Sequence, residues 1–140
     1  MGVVDFEKQA RDAVSSAIVK EPGAAISVIL QQIGRSAQAA ADTHEGVAAA
    51  TLGGMTALWN ANQDLPDATV KILGGLTEMS IVTRAGPEQV MTWVLQGIAT
   101  ASDMAGAEIQ GDIRSRIEET FQGAGDVFQK LCDQARAKRQ

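Results

Sequence analysis

The residues that could do chemistry in this chain are few, and their scarcity bounds its function. One histidine, His44, and one cysteine, Cys132, are the only members of their types. Nucleophilic catalysis needs a nucleophile, a base beside it and a third group that orients the base. A single histidine must serve every serine here, and no Gly-x-Ser-x-Gly turn is present to expose one. Cys132 stands in an apolar frame near the C-terminus and reads as a small helix-face residue. Being alone, it can form no intramolecular disulfide, which suits a reducing compartment.

Metal chemistry meets the same shortage. His44 is followed by Glu45, Gly46, Val47 and Ala48, so the His-Glu-x-x-His pattern of zinc helices is not formed. Glu108 and Asp112 lie four apart on one helix face, but a two-metal carboxylate bundle also needs histidines that the chain lacks. His44 is therefore expected to be a partly solvated histidine or a core histidine. Nucleotide loops are missing too: Gly53-Gly54 and Gly74-Gly75 follow no strand and precede no Lys-Ser pair. Glu118 and Glu119 belong to a mixed-charge outer face with Arg114 and Arg116. No catalytic set, cofactor or metal is expected.

The elements that carry these residues read as helices. Apolar residues make up 45% of the chain, largely through alanine, and aromatics only 4%, with no tyrosine. That balance favours helix over strand. Three prolines sit in turn-like contexts, Glu21-Pro22-Gly23, Asp64-Leu65-Pro66-Asp67 and Arg84-Ala85-Gly86-Pro87. They divide the chain into helices expected over 1–20, 24–63, 67–84 and 87–138, with Pro87 at a tolerated first-turn position. The expected fold is all-α, a single domain of elongated amphipathic helices in a bundle or coiled-coil-like assembly.

Apolar stripes recur at steps of three and four on both long segments. One runs through Ile26, Ile29, Ile33, Ala37, Ala40, His44, Val47, Thr51, Met55 and Leu58; the other through Val94, Ile98, Ala101, Ala105, Ile109, Ile113, Ile117, Phe121, Phe128 and Leu131. As unbroken rods, segments of roughly 38 and 50 residues would reach about 57 and 75 Å. Either the helices break at their glycines or the molecule is elongated. An interior glycine costs about 1 kcal/mol against alanine. Such a cost fits close helix approach, as with Gly97, Ala101 and Ala105 aligned four apart, or helices that rearrange.

An elongated protein with two apolar stripes needs something to cover them. The expected interaction surface is Ile29, Ile33, Met55, Leu58, Trp59, Trp93, Ile98, Ile109, Ile113, Ile117, Phe121 and Phe128. Trp59 and Trp93 read either as core residues closing the bundle ends or as interfacial anchors. The net charge of −5 disfavours nucleic acid as a partner. Arg136, Lys138 and Arg139 read as cations complementing a helix C-terminus. The opening MGVVDFEKQARDA carries charges early and lacks a leader's apolar stretch. No transmembrane span is expected, and the cytoplasm is the expected location.

Two segments resemble phasins, the helical proteins that coat polyhydroxyalkanoate granules in bacteria. The first is the Ala-, Gln- and Asn-bearing helix from Gln31-Gln32-Ile33 to Trp59-Asn60-Ala61-Asn62; the second runs from Thr83-Arg84-Ala85-Gly86-Pro87-Glu88 through Leu95-Gln96. The resemblance covers roughly residues 25–131 and is one of organisation. It implies a non-catalytic, oligomerising protein whose amphipathic face lies on a hydrophobic polymer or lipid surface. The competing expectation is a self-assembling adaptor, chaperone or structural subunit acting by helix–helix contact.

Overall fold

Three helices begin where an aspartate takes up a free backbone N–H. Asp5 Oδ1 accepts from the Lys8 N–H at 2.9 Å, Asp42 Oδ1 from Glu45 at 3.2 Å and Asp64 Oδ1 from Asp67 at 2.9 Å. They open α1 (Phe6–Lys20), α3 (Thr43–Asn60) and α4 (Leu65–Glu78). The chain is seen in a computed structural model that describes residues 5–39, 42–78 and 86–139. A single 3-10 turn, Pro22–Ala24, leads into α2 (Ala25–Ala39). Pro87 starts α5 (Pro87–Ala105) behind Gly86, and α6 (Ala107–Thr120) and α7 (Ala124–Arg139) complete the order. No strand occurs among the described residues, and the chain is an all-α bundle.

The two long helices expected over 24–63 and 87–138 are not continuous. The first divides before Thr43, where the Asp42 cap starts a new helix; residues 40 and 41, including Ala40 of the expected stripe, lie outside the described residues. The second divides twice. Gly106 adopts φ +111° and ψ 163°, a backbone region that essentially only glycine occupies, and there α5 ends and α6 begins. At the other break Gly123 adopts φ +92°. The Glu118 carboxylate caps α7, accepting from the Gly123 N–H at 2.9 Å and the Gly125 N–H at 3.0 Å. Capping carboxylate and left-handed glycine together outcompete the apolar periodicity that runs across the break.

The end of α3 is closed by a non-glycine residue. Asn62, at φ 59°, sits at the left-handed position of a Schellman motif. Its N–H reaches Trp59 O at 3.0 Å, and the Gln63 N–H reaches Leu58 O at 2.9 Å. The expected 67–84 helix begins at Leu65 and is described as far as Glu78; residues 79–85 lie outside the described residues, as do residues 1–4 of the expected 1–20 helix.

Broken helices fold back on one another. The longest among the described residues has 19 residues, about 28 Å. The accessible surface is 7760 Å²; a compact monomer of this mass exposes about 6,900 Å². The extended rods give way to a bundle whose core is drawn from both stripes.

Helix α3 lies at the centre, against α1, α2 and α5. Its small residues allow this. At Gly53 a Cβ would stand 2.0 Å from the Glu7 carbonyl oxygen, so α1 passes with backbone against backbone. Gly97 of α5 does the same on the other side, where a Cβ would lie 2.6 Å from Ala48 O. Helices α6 and α7 form a hairpin that, among the described elements, meets only α4, α5 and itself.

Candidate interaction surface

Most of the expected interaction surface is interior. Ile29, Ile33, Met55, Leu58, Ile98, Ile113, Ile117 and Phe128 are buried in the chain's own core. The expectation that these stripes await an external partner is corrected for these eight, because broken helices present their stripes to each other. Trp93, Ile109 and Phe121 are half-buried against the same core. Trp59 alone of the twelve is exposed, at 41%.

Trp59 stands where the Schellman turn lifts the chain from α3 into α4. Beside it is an open cleft of 540 Å³ between that turn and α6, lined by Leu65, Pro66, Ile109, Asp112 and Arg116 among others. The lining is mixed: Trp59, Leu65, Pro66 and Ile109 are apolar, and Asp64, Asp112 and Arg116 are charged. Arg116 lies 3.6 Å from Asp67, which also holds Lys71 at 2.9 Å. The hydrogen bond from Lys71, reinforced by both cations' charges, holds the Asp67 carboxyl below its ordinary pKa. Val19, Met104 and Val127 are also exposed apolar side chains, but they do not line this cleft.

His44 is exposed, and it packs between α3 and α5. Its ring stacks on Trp93 with centroids 5.2 Å apart and planes inclined by 13°, and its Nε2 bonds Gln96 Oε1. Trp93 is thus committed to an internal stack. A cleft of 300 Å³ adjoins His44, with Glu7, Asp42 and Glu45 on its walls. Among the described residues, no group of three or more His, Cys, Asp or Glu side chains is placed to hold a metal ion. Likewise, no described helix is long and apolar enough to cross a membrane.

A polar network lies inside the joint between α5 and the α6–α7 hairpin. The buried Ser102 hydroxyl donates to Ala99 O at 2.8 Å and accepts from Gln110 Nε2 at 3.0 Å. Gln110 Oε1 accepts from Arg136 Nη2 at 3.3 Å. Cys132 Sγ lies 3.8 Å from Ser102 Oγ. Burial pushes the Cys132 thiol up to about 11, against a smaller lowering by the Ser102 hydrogen bond. Such a thiol is a packed core group with little thiolate character.

Sequence reasoning did not single out Ser102, Gln110 or Asn62. A signal existed for Gln110, which stands three and seven residues before Ile113 and Ile117 and therefore shares their buried stripe. Asn62 follows the last apolar residues of α3, where an asparagine can serve as a left-handed cap. Nothing in the local sequence marks Ser102, whose side-chain partners Gln110 and Cys132 come from other helices.

No family model, curated protein or solved structure matches this chain.

Proposed function

We propose that this protein is a non-catalytic helical bundle that acts by helix–helix contact, as a self-assembling adaptor or structural subunit, with the Trp59 cleft as its contact point. The observation that supports this reading is the placement of Trp59. It is the one exposed aromatic of the expected interaction surface, held by a defined turn beside an open cleft that Leu65, Pro66 and Ile109 also line. Tryptophans in such settings dominate protein contacts, because one side chain removes a large apolar area from water. The charges of Asp112 and Arg116 suit register and specificity more than affinity. The test is solution mass by light scattering for the wild type and for Trp59→Glu. A defined oligomer that the substitution dissociates, with helicity unchanged, is the expected result. A wild type that remains monomeric at high concentration would refute it.

A second reading is coating of a hydrophobic granule or lipid surface, in the manner of the phasins the chain resembles. Its support is the jointing of the helices at Gly106 and Gly123, which allows the bundle to open and offer its buried stripes. Burial against such a surface would contribute about 25 cal/mol per Å². Sedimentation with polyhydroxybutyrate granules, against a helical bundle of similar charge as control, tests it. No enrichment over the control removes it.

A further inference from the structure

The α6–α7 hairpin differs from the rest of the bundle in how it is attached. Its fully buried apolar side chains are Ile113, Ile117, Phe128 and Cys132, whereas α3 and α5 together hold the centre of the core. Its contacts beyond itself are with α4 and α5, with none to α1, α2 or α3 among the described elements. Its connection to α5 is one residue, Gly106, in a conformation reserved for glycine. The seam between α6 and the α3–α4 turn is incompletely filled, leaving the 540 Å³ cleft. Contact with only two other helices, one covalent joint and an underpacked seam are the marks of a unit that opens below the global unfolding free energy.

Beside these apolar anchors, what fixes the position of closure is polar and specific. Gln110 of α6, 7% exposed, links Ser102 of α5 to Arg136 of α7, so one side chain ties all three helices. At the opposite end of α6, Arg116 pairs with Asp67 of α4. The Ser102–Gln110 bond is buried and made only at one register, so losing Gln110 leaves Ser102 without that partner, while Arg136, itself exposed, adds a part-buried bond from α7. A polar latch of this kind fixes where the hairpin closes and makes closure all-or-none.

We infer that the α6–α7 hairpin is a strap that opens as a unit about Gly106, latched by Ser102, Gln110 and Arg136. Opening turns Ile113, Ile117 and Phe128 toward solvent while the α1–α3 packing stays closed. This conformational device stands apart from the proposed contact function, since opening requires no partner and is measured without one.

Hydrogen–deuterium exchange of the full chain, read by helix, tests it. In the wild type the amides of α6 and α7 exchange through a common opening, ahead of those of α2 and α3. Gln110→Ala removes the central member of the latch and is expected to accelerate α6 and α7 together by about tenfold or more, leaving α1–α3 unchanged. Ser102→Cys places a thiol beside Cys132. Oxidation then slows exchange in α7 and α6, and reduction restores it. Wild-type α6–α7 amides as protected as those of α3 would overturn the inference, as would Gln110→Ala accelerating every helix alike. Failure of the Ser102→Cys thiol to pair with Cys132 would remove the juxtaposition on which the latch rests.

Discussion

Replacing Gly53 with alanine puts a methyl group into a space that does not exist. The added Cβ would stand 2.0 Å from the Glu7 carbonyl oxygen and 3.1 Å from the Arg11 nitrogen. Ordinary contact begins near 3.4 Å, and both obstacles are backbone, so α1 as a whole must retreat by more than an ångström. Overpacking of this kind costs about 1–3 kcal/mol, and more when no flexible side chain can yield. Alanine's better helix propensity returns about 1 kcal/mol. There is also a ceiling, because the protein can release α1 instead of bearing the clash. The fully buried apolar side chains of α1 are Ala10 and Val14, with Ile18 half-buried. Their burial contributes roughly 3–4 kcal/mol. A net destabilisation of about 2 kcal/mol is expected, which for a chain of this length lowers Tm by about 7 °C. Gly111, exposed in the middle of α6 with nothing within 4 Å of its Cβ direction, is the matched control. Gly111→Ala should raise stability by about 0.5–1 kcal/mol. Urea unfolding followed by helicity measures both. Equal stabilisation by the two substitutions would show that α1 does not lie against α3 as described.

Other substitutions read different parts of the fold. Asn62→Ala should destabilise by about 1 kcal/mol, because alanine tolerates the left-handed cap poorly, while Asn62→Gly should be neutral or stabilising; thermal melts of the pair separate cap geometry from side-chain loss. Thr69 carries a buried hydroxyl with no hydrogen-bond partner. Thr69→Val keeps the shape, removes the unsatisfied oxygen and should stabilise by about 1 kcal/mol in urea titration; a loss of stability would point to an unseen partner. For Cys132 the folded thiol is raised from 9.0 to about 11. Above the lower value the unfolded chain binds fewer protons than the folded one, so stability falls as pH rises through that window. Wild type should therefore lose stability relative to Cys132→Ala between pH 9 and about 11, and parallel curves would show that the thiol is not buried.

Much of the helical content is local and was legible from residue order. Alanine-rich stretches, a period of three to four, prolines in first turns and aspartates before apolar runs each act within a few residues. The scarcity of histidine and cysteine is equally a property of composition. What the chain alone does not decide is which glycine does what. Gly53 and Gly97 lie inside helices and permit backbone approach between α3 and its neighbours, whereas Gly106 and Gly123 terminate helices through positive φ. Residue type is identical in all four; the difference is what stands opposite. The apolar stripes show the same division. Periodicity locates Ile29, Ile113 and Phe128 on buried faces, yet only tertiary packing decides whether another molecule or the chain itself covers them. Breaks at Asp42, Gly106 and Gly123 turn two long stripes inward upon each other, and of the expected interaction surface Trp59 is the residue left exposed. Burial is a relation between distant segments, and a linear pattern records only one side of it.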